Sequence, residues 1–397
     1  MKHLGGSSKL LRALNDAAAL SHVLERGPLT RGELRELTGL SKPTISEALR
    51  RLTEAGLVSV VGYVSAGPGP NAEVYAVNPD AAYSVALSVR DRGDCDIPTV
   101  TAAVTDLAGT VRGRLESAVD FASADPVAAI ADTVESLCKE AGVARDPVAQ
   151  VQIAVAGAYD PRGDVLHHVE VPGWGRAGLV EELRGRLGVP VGVDNDVNLA
   201  AVAERAHGAG RDADSFALLW LGEAGLGLAI DLGGTLLRGA RGGAGEIGYM
   251  PMNVAGGGAA RVDFQDLVGG PAVLELAAAH GITAPSAART MATAVARADA
   301  GDPAAREFVT VLAGRIAIGL SAVVAVLDPP LVVIGGEVGQ AGGELLGTAV
   351  ATALAEAAPL DTTIATTRVR DDAALLGAQQ ASRAFVREAI LASLRRP

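Results

Sequence analysis

Hydrophobic positions recur along this chain with two different periods, and the change between them divides it. Over residues 10–26, Leu10, Leu14, Ala17, Leu20 and Leu24 share one helical face, and Gly27-Pro28 ends the run. Thr30 and Glu33 have capping-box spacing, which predicts a helix over RGELRELT that stops at Gly39. Ser41 caps a third helix, KPTISEALRRLTEA, ended by Gly56, in which Ile45, Leu49 and Leu52 face a core. Two β-type runs, LVSVVGY (57–63) and EVYAV (73–77), then flank SAGPGPNA. Helix, short turn, helix and ribbon together predict a winged helix-turn-helix.

The third helix presents Lys42, Thr44, Ser46, Glu47, Arg50 and Arg51 outward, behind Ser41 at its start. Side chains near the start of such a helix reach base edges in a major groove, and a downstream arginine pair holds phosphates. These seven are the DNA-binding candidates. A solvated surface helix has the same polar face; the adjoining ribbon favours DNA. The ribbon tip, Gly67, Pro68, Gly69, Pro70 and Asn71, carries no arginine, so wing contacts to the minor groove are expected to be weak or absent.

After Asn78-Pro79, read as a linker, short apolar strands alternate with alanine-rich helices, the pattern of an α/β domain. Two places in it hold more polar residues than folding requires. The strand VPVGV (189–193) ends in Asp194-Asn195-Asp196-Val197-Asn198 before a helix, where open α/β sheets put their ligands. Capping accounts for one of those four polar residues. Further on, the stretch 221–249 reads as two strands joined by glycines, then a loop in which Gly242, Gly243, Gly245 and Gly248 surround Glu246. Such a loop lets a small polar molecule approach the backbone.

Five segments in order, VPGW (171–174), VDNDVNLAAVAE (193–204), GLGLAIDLGGTLLRGARGGAGEIGY (225–249), VVIGGE (332–337) and DDAALLGA (371–378), resemble the ROK family of sugar-responsive repressors and sugar kinases, in its regulator branch. The resemblance implies a two-lobed actin-like, ribonuclease-H-like domain over 80–397 behind a winged helix-turn-helix over 1–79. Its small lobe is expected at about 80–193 plus the C-terminal helix, and its large lobe at about 194–375. Asn195, Asp196, Glu246 and Gln265 are the implied ligand contacts, with Tyr249 and Trp174 nearby. Asp196 falls where the family's kinases keep their base, and here it reads as a vestige.

The departures from the family matter as much. Matched on the strand SVALSV (84–89), the aspartate of the first phosphate loop falls at Ser88 and its glycine at Arg90. Holding ATP and magnesium needs that carboxylate and a compact turn, so kinase activity is not expected. Asp231-Leu232-Gly233-Gly234-Thr235 fits the same pattern, but its flanks match the family's sugar-lobe hairpin. Tyr249 stands for the zinc-binding histidine of the family and 254–265 contains no cysteine, so the tetrahedral zinc is lost and no cofactor is expected. Gln265 replaces a glutamate; it keeps an acceptor oxygen, loses charge and gains a donor, which alters the ligand. His167 and His168 are neighbours on an extended segment and point to opposite sides, which disfavours a metal.

Composition adjusts this picture in three ways. A length of 397 residues calls for two or three domains. The net charge is −12, yet residues 1–75 hold nine Lys/Arg against seven Asp/Glu, so the acidic bulk lies away from the DNA-binding module. Cys95 and Cys138 read as free thiols, and neither a signal peptide nor a membrane span is expected, which points to the cytoplasm. The expected partners are a double-stranded DNA operator, a sugar or sugar-phosphate effector, and a second copy in a homodimer or dimer of dimers, the last from the family alone. Two alternatives stay open: a regulator that has lost sugar sensing and answers another ligand or a protein partner, and a sugar kinase.

Overall fold

A computed structural model describes residues 5–65, 71–90, 97–169, 171–223, 225–252, 261–357, 361–370 and 372–395. The wing-tip residues 67–70, Cys95, the stretch 254–260 and Asp371 lie outside the described residues.

The amino-terminal unit runs α1 (Gly5–Arg26), β1 (Leu29–Thr30), α2 (Arg31–Thr38), α3 (Lys42–Glu54), β2 (Val58–Val64) and β3 (Ala72–Val77). The capping box forms: the Thr30 amide donates to Glu33 Oε2 at 2.7 Å, and the Glu33 amide to Thr30 Oγ1 at 3.3 Å. Ile45, Ala48, Leu49 and Leu52 are the buried face of α3. β1, too short to show a period, completes a three-stranded sheet of order β1-β3-β2. One expectation fails here: Ala17, Leu20 and Leu24 are buried, but Leu10 and Leu14 are each 44% exposed. The helix begins five residues earlier than its apolar pattern and runs past the core those two leucines were expected to join.

The first lobe comprises β4 (Tyr83–Arg90), β5 (Thr99–Asp106), β6 (Val111–Ala118), α4 (Pro126–Glu140), β7 (Val148–Val155), β8 (Ala158–Asp160), β9 (Val165–His167), α5 (Leu179–Leu187) and β10 (Val191–Asn195). Its sheet has the order β10-β7-β4-β5-β6. β10, β7 and β4 pair in parallel, and β4, β5 and β6 antiparallel. β4 sits at the centre and is buried along nearly its whole length, as a strand covered on both faces must be.

The second lobe follows: α6 (Asp196–His207), β11 (Ser215–Leu221), β12 (Leu226–Leu232), β13 (Thr235–Leu236), β14 (Pro251–Met252), β15 (Val262–Asp263), α7 (Phe264–Val268), α8 (Gly270–Ala279), α9 (Ala287–Asp299), α10 (Pro303–Leu327), β16 (Leu331–Gly335), α11 (Gly336–Ala357) and β17 (Thr363–Thr366). The sheet order is β13-β12-β11-β16-β17, and α7–α11 pack their apolar faces into one large core with it. α10 is long and apolar enough to cross a membrane; half of its most apolar stretch is packed in that core.

The last helix, α12 (Ala373–Arg395), ties the three units together. Its first turns lie on α6 and β4, where Ala374, Leu375 and Ala378 meet Ala86, Ala154 and Leu199. The approach is close enough that a Cβ at Gly377 would stand 1.6 Å from the Leu199 carbonyl oxygen. Its last turns lie on α1, and Val386 and Leu391 belong to the same hydrophobic cluster as Leu20, Ile45 and Leu49. The winged helix therefore shares its core with the far end of the sensor's final helix.

Candidate ligand cleft and DNA-facing helix

Between the lobes lies a cavity of about 190 Å³ whose wall includes Asn195, Asp196, Glu246, Tyr249 and Gln265. Each is delivered by a different local device. β10 ends at Asn195, whose Oδ1 accepts from the amides of Val197 and Asn198 at 2.8 and 3.2 Å and so caps α6. Its Nδ2 donates to the Gly157 carbonyl at 3.1 Å, so Asn195 is held rigid before any ligand arrives. Asp196, the first residue of α6, accepts from the Val197 amide at 2.9 Å and lines the cleft. Asp194 points away and holds Asn198 Nδ2 and Arg238 at 3.1 and 2.8 Å.

Glu246 follows the hairpin. Gly245 has φ 93°, and a Cβ there would stand 1.8 Å from the Leu228 carbonyl oxygen, so only glycine lets the loop fold onto β12. Burial pushes the Glu246 carboxyl above its ordinary range, with the His168 imidazole acting in the opposite direction. The His168 ring also lies 5.1 Å from that of Tyr249, so the first lobe touches the second across the mouth of the cleft. Gln265, in the first turn of α7, is exposed to it.

The floor carries a charge cluster. Arg90, at the end of β4, is ion-paired to Glu337 of α11 and lies 3.5 Å from Asp372 Oδ1. Asp372 in turn accepts from the Leu375 amide at 3.0 Å, capping α12. Burial pushes the Asp196 carboxyl up to about 6, against the pull of the Arg90 guanidinium and the Val197 amide. Ser88 is fully buried and donates weakly to Asp372 at 3.5 Å.

Residues 97–384 match the sequence profile of the ROK family, and residues 12–62 that of the MarR family. The chain belongs to the ROK family. It is 24% identical over 250 residues to the xylose repressor of Bacillus subtilis (strain 168), an alignment covering 62% of each chain, less than two thirds of that repressor. It is 24% identical over 356 residues to the DNA-binding transcriptional dual regulator NagC of Escherichia coli (strain K12), covering 86% of this chain and 84% of that one. The crystal structure of a ROK family transcriptional regulator, homolog of the E. coli MLC protein, superposes with a TM-score of 0.75 at 19% identity, over 98% of this chain and all of that one. The last likeness establishes the fold, winged helix included.

Within this ROK protein Trp174 is not a cleft residue. Its ring is fully buried in the first lobe, 5.7 Å from Phe121 in an edge-on contact, because the turn at Gly173 sends it inward. The ROK zinc does not fit: Tyr249 offers neither thiolate nor imidazole, and 249–265 contains no cysteine or histidine. Asp231, near the end of β12, accepts from the Gly234 amide at 2.8 Å and from Arg205, outside the cleft wall. Residues not singled out from sequence as ligand contacts line the cleft too: Arg90, His168, Trp220, Glu223 and Glu337. Arg90 alone carried a signal, being a charge where the family keeps a glycine.

On the DNA-facing helix, Lys42, Glu47 and Arg50 are exposed and Thr44 and Ser46 half-buried. Ser41 and Thr44 share a hydroxyl contact at 2.8 Å while Ser41 caps the helix. Arg50 rests on Glu47 and Glu54. Arg51 departs from expectation: it turns back to α1 and holds Asp16 with two bonds, Nε at 2.8 Å and Nη2 at 2.6 Å. Helical spacing put it outward, but a long guanidinium reaches around the helix edge to a buried carboxylate.

Proposed function

We propose that this ROK protein is a sequence-specific DNA-binding transcriptional regulator, a repressor, acting in the cytoplasm as a homodimer or dimer of dimers. Its winged helix-turn-helix, 1–79, reads the operator, and its ROK domain, 80–397, binds a sugar or related small metabolite. The observation that carries this is the placement of α12. It starts at Asp372, beside the Arg90 cluster on the cleft floor, and ends in the hydrophobic core that supports α3.

A polyhydroxyl ligand would donate hydroxyls to Asp196 and Glu246, while Gln265 both accepts and donates. Binding that draws the lobes together acts on β4, α6 and the start of α12 at once. Because the far end of α12 is packed with α1, the displacement reaches α3, and in a dimer it changes the spacing of two recognition helices. Catalysis is not part of this reading. Asp196 is positioned as the family's base, but Ser88 and Arg90 replace the phosphate loop, and a base does nothing without a held phosphoryl donor.

A second reading is favoured by one observation, the Tyr249 and Gln265 departures beside the ligand pocket: the domain answers a different ligand or a protein partner. Thermal unfolding of the full chain against a panel of sugars separates the two, since a ligand preferring the native state raises the midpoint. The sugar reading expects a shift with one sugar that Asp196→Ala and Glu246→Ala abolish while ligand-free operator binding persists. No shift with any sugar moves the conclusion to the second reading, and a shift with ATP and magnesium revives the kinase.

A further inference from the structure

Arg90 divides its guanidinium between two carboxylates that move with different lobes. Nη2 is paired with Glu337, in the first turn of α11 and so part of the second lobe. Nη1 lies 3.5 Å from Asp372 Oδ1, a longer and weaker contact. Asp372 travels with the first lobe: Ser88 of β4 touches it at 3.5 Å, and Leu375, whose amide it accepts, packs with Ala86 of the same strand. Its two oxygens are used unequally. Oδ1 meets the Leu375 amide, Ser88 and Arg90, while Oδ2 is buried and has no hydrogen-bond partner among the described residues. A buried carboxylate oxygen without a donor is costly, and the group nearest to supply one is the guanidinium already beside its twin.

We infer that Arg90 is a two-position switch between the lobes. In the position seen, its fork is split and ties the first lobe to Glu337 of the second. In the other position both nitrogens turn to Asp372, one on each oxygen, in the parallel pair of bonds that guanidinium and carboxylate favour. That arrangement satisfies Oδ2 and releases Glu337, so the lobes are free to part. The two positions exchange one charged contact for another, which makes them discrete alternatives rather than a graded motion. Asp196, the expected ligand acceptor, stands in the field of the same guanidinium, so a ligand placed there acts on the choice. Asp372 opens α12, so the choice is made at the root of the helix that reaches the winged helix.

The inference rests on the regulator reading for its purpose only; the test uses neither sugar nor DNA, so the two fail separately. The full-length parent, Glu337→Gln, Asp372→Asn and the double variant are unfolded in urea, and acrylamide quenching of tryptophan is read on each without denaturant. Trp220 lines the space between the lobes beside Arg90 and Glu337, whereas Trp174 is fully buried and shielded from the quencher. Each single variant is expected to fold and to lose little stability, because Arg90 falls back on the remaining carboxylate and asparagine still caps α12. The double variant is expected to lose more than the two single losses added together. Glu337→Gln is expected to raise Trp220 quenching, and Asp372→Asn to leave it at the parent level. Additive losses, a single variant that cannot fold, or parent-level quenching in Glu337→Gln would each overturn the inference.

Discussion

The cleft floor and the recognition helix both set arginines beside carboxylates, and they do so for opposite ends. In the cleft, Arg90 is 17% exposed among Glu337, Asp372 and Asp196. On α3, Arg50 is 53% exposed and rests on Glu47 and Glu54. Buried charges that lose a partner are left uncompensated, whereas exposed pairs are screened and contribute little. The first arrangement fixes a geometry that a ligand must meet. The second is loose, so Arg50 can exchange two carboxylates for a DNA phosphate at small cost.

The hardest test of this contrast is Arg90→Ala. It leaves Glu337, Asp372 and Asp196 without the guanidinium that lies among them, and the folded state is expected to lose about 4 kcal/mol. Chemical denaturation reads this directly; a loss below about 1 kcal/mol would place Arg90 among the exposed pairs and dissolve the comparison.

Asp196→Asn comes next and carries a sign that changes with pH. Burial raises the Asp196 carboxyl from 3.8 to about 6, so the native state binds its proton more tightly than the unfolded chain does. The stabilising contribution of that proton is present below pH 4 and is lost as pH rises to about 6. Asparagine has no charge to desolvate. The variant is therefore expected to exceed the parent by about 3 kcal/mol at pH 7 and to match it near pH 3.5. A stability difference that does not vary with pH would show that Asp196 ionises as freely as a surface carboxylate.

Sequence showed much of the frame and the acceptors of the cleft, and the reasons for the gaps are physical. Thr30, Ser41 and the Ile45, Leu49, Leu52 face are local signals, set by spacing within one helix, and they appear as predicted. Asn195, Asp196 and Glu246 follow from strand ends and glycine turns, which are local too. Arg90 with Glu337, and Glu223 on the α9 N-terminus, join positions 247 and 64 or 65 apart, and no period in the chain encodes such a meeting. Trp174 and Arg51 failed for the same reason in reverse. Each sits where a local pattern faces it outward or toward the ligand, and a partner distant in sequence, Phe121 or Asp16, captures it.

Adjacent residues Arg50 and Arg51 make the finest version of the comparison, since they share a helix turn and differ only in what they touch. Arg51→Ala removes two charged bonds to Asp16 and leaves that buried carboxylate behind, an expected loss of about 2 kcal/mol in stability. Arg50→Ala is expected to leave the melting midpoint where it was. Its effect falls on DNA instead: operator affinity drops, and the slope of log affinity against log salt becomes shallower by about one phosphate contact. Arg51→Ala, measured at a temperature where it remains folded, should keep the parent slope, because its guanidinium is occupied by Asp16. Equal slopes for the parent and Arg50→Ala would mean that Arg50 touches no phosphate, and the contacts to the operator would then fall to Ser41, Lys42, Thr44, Ser46 and Glu47.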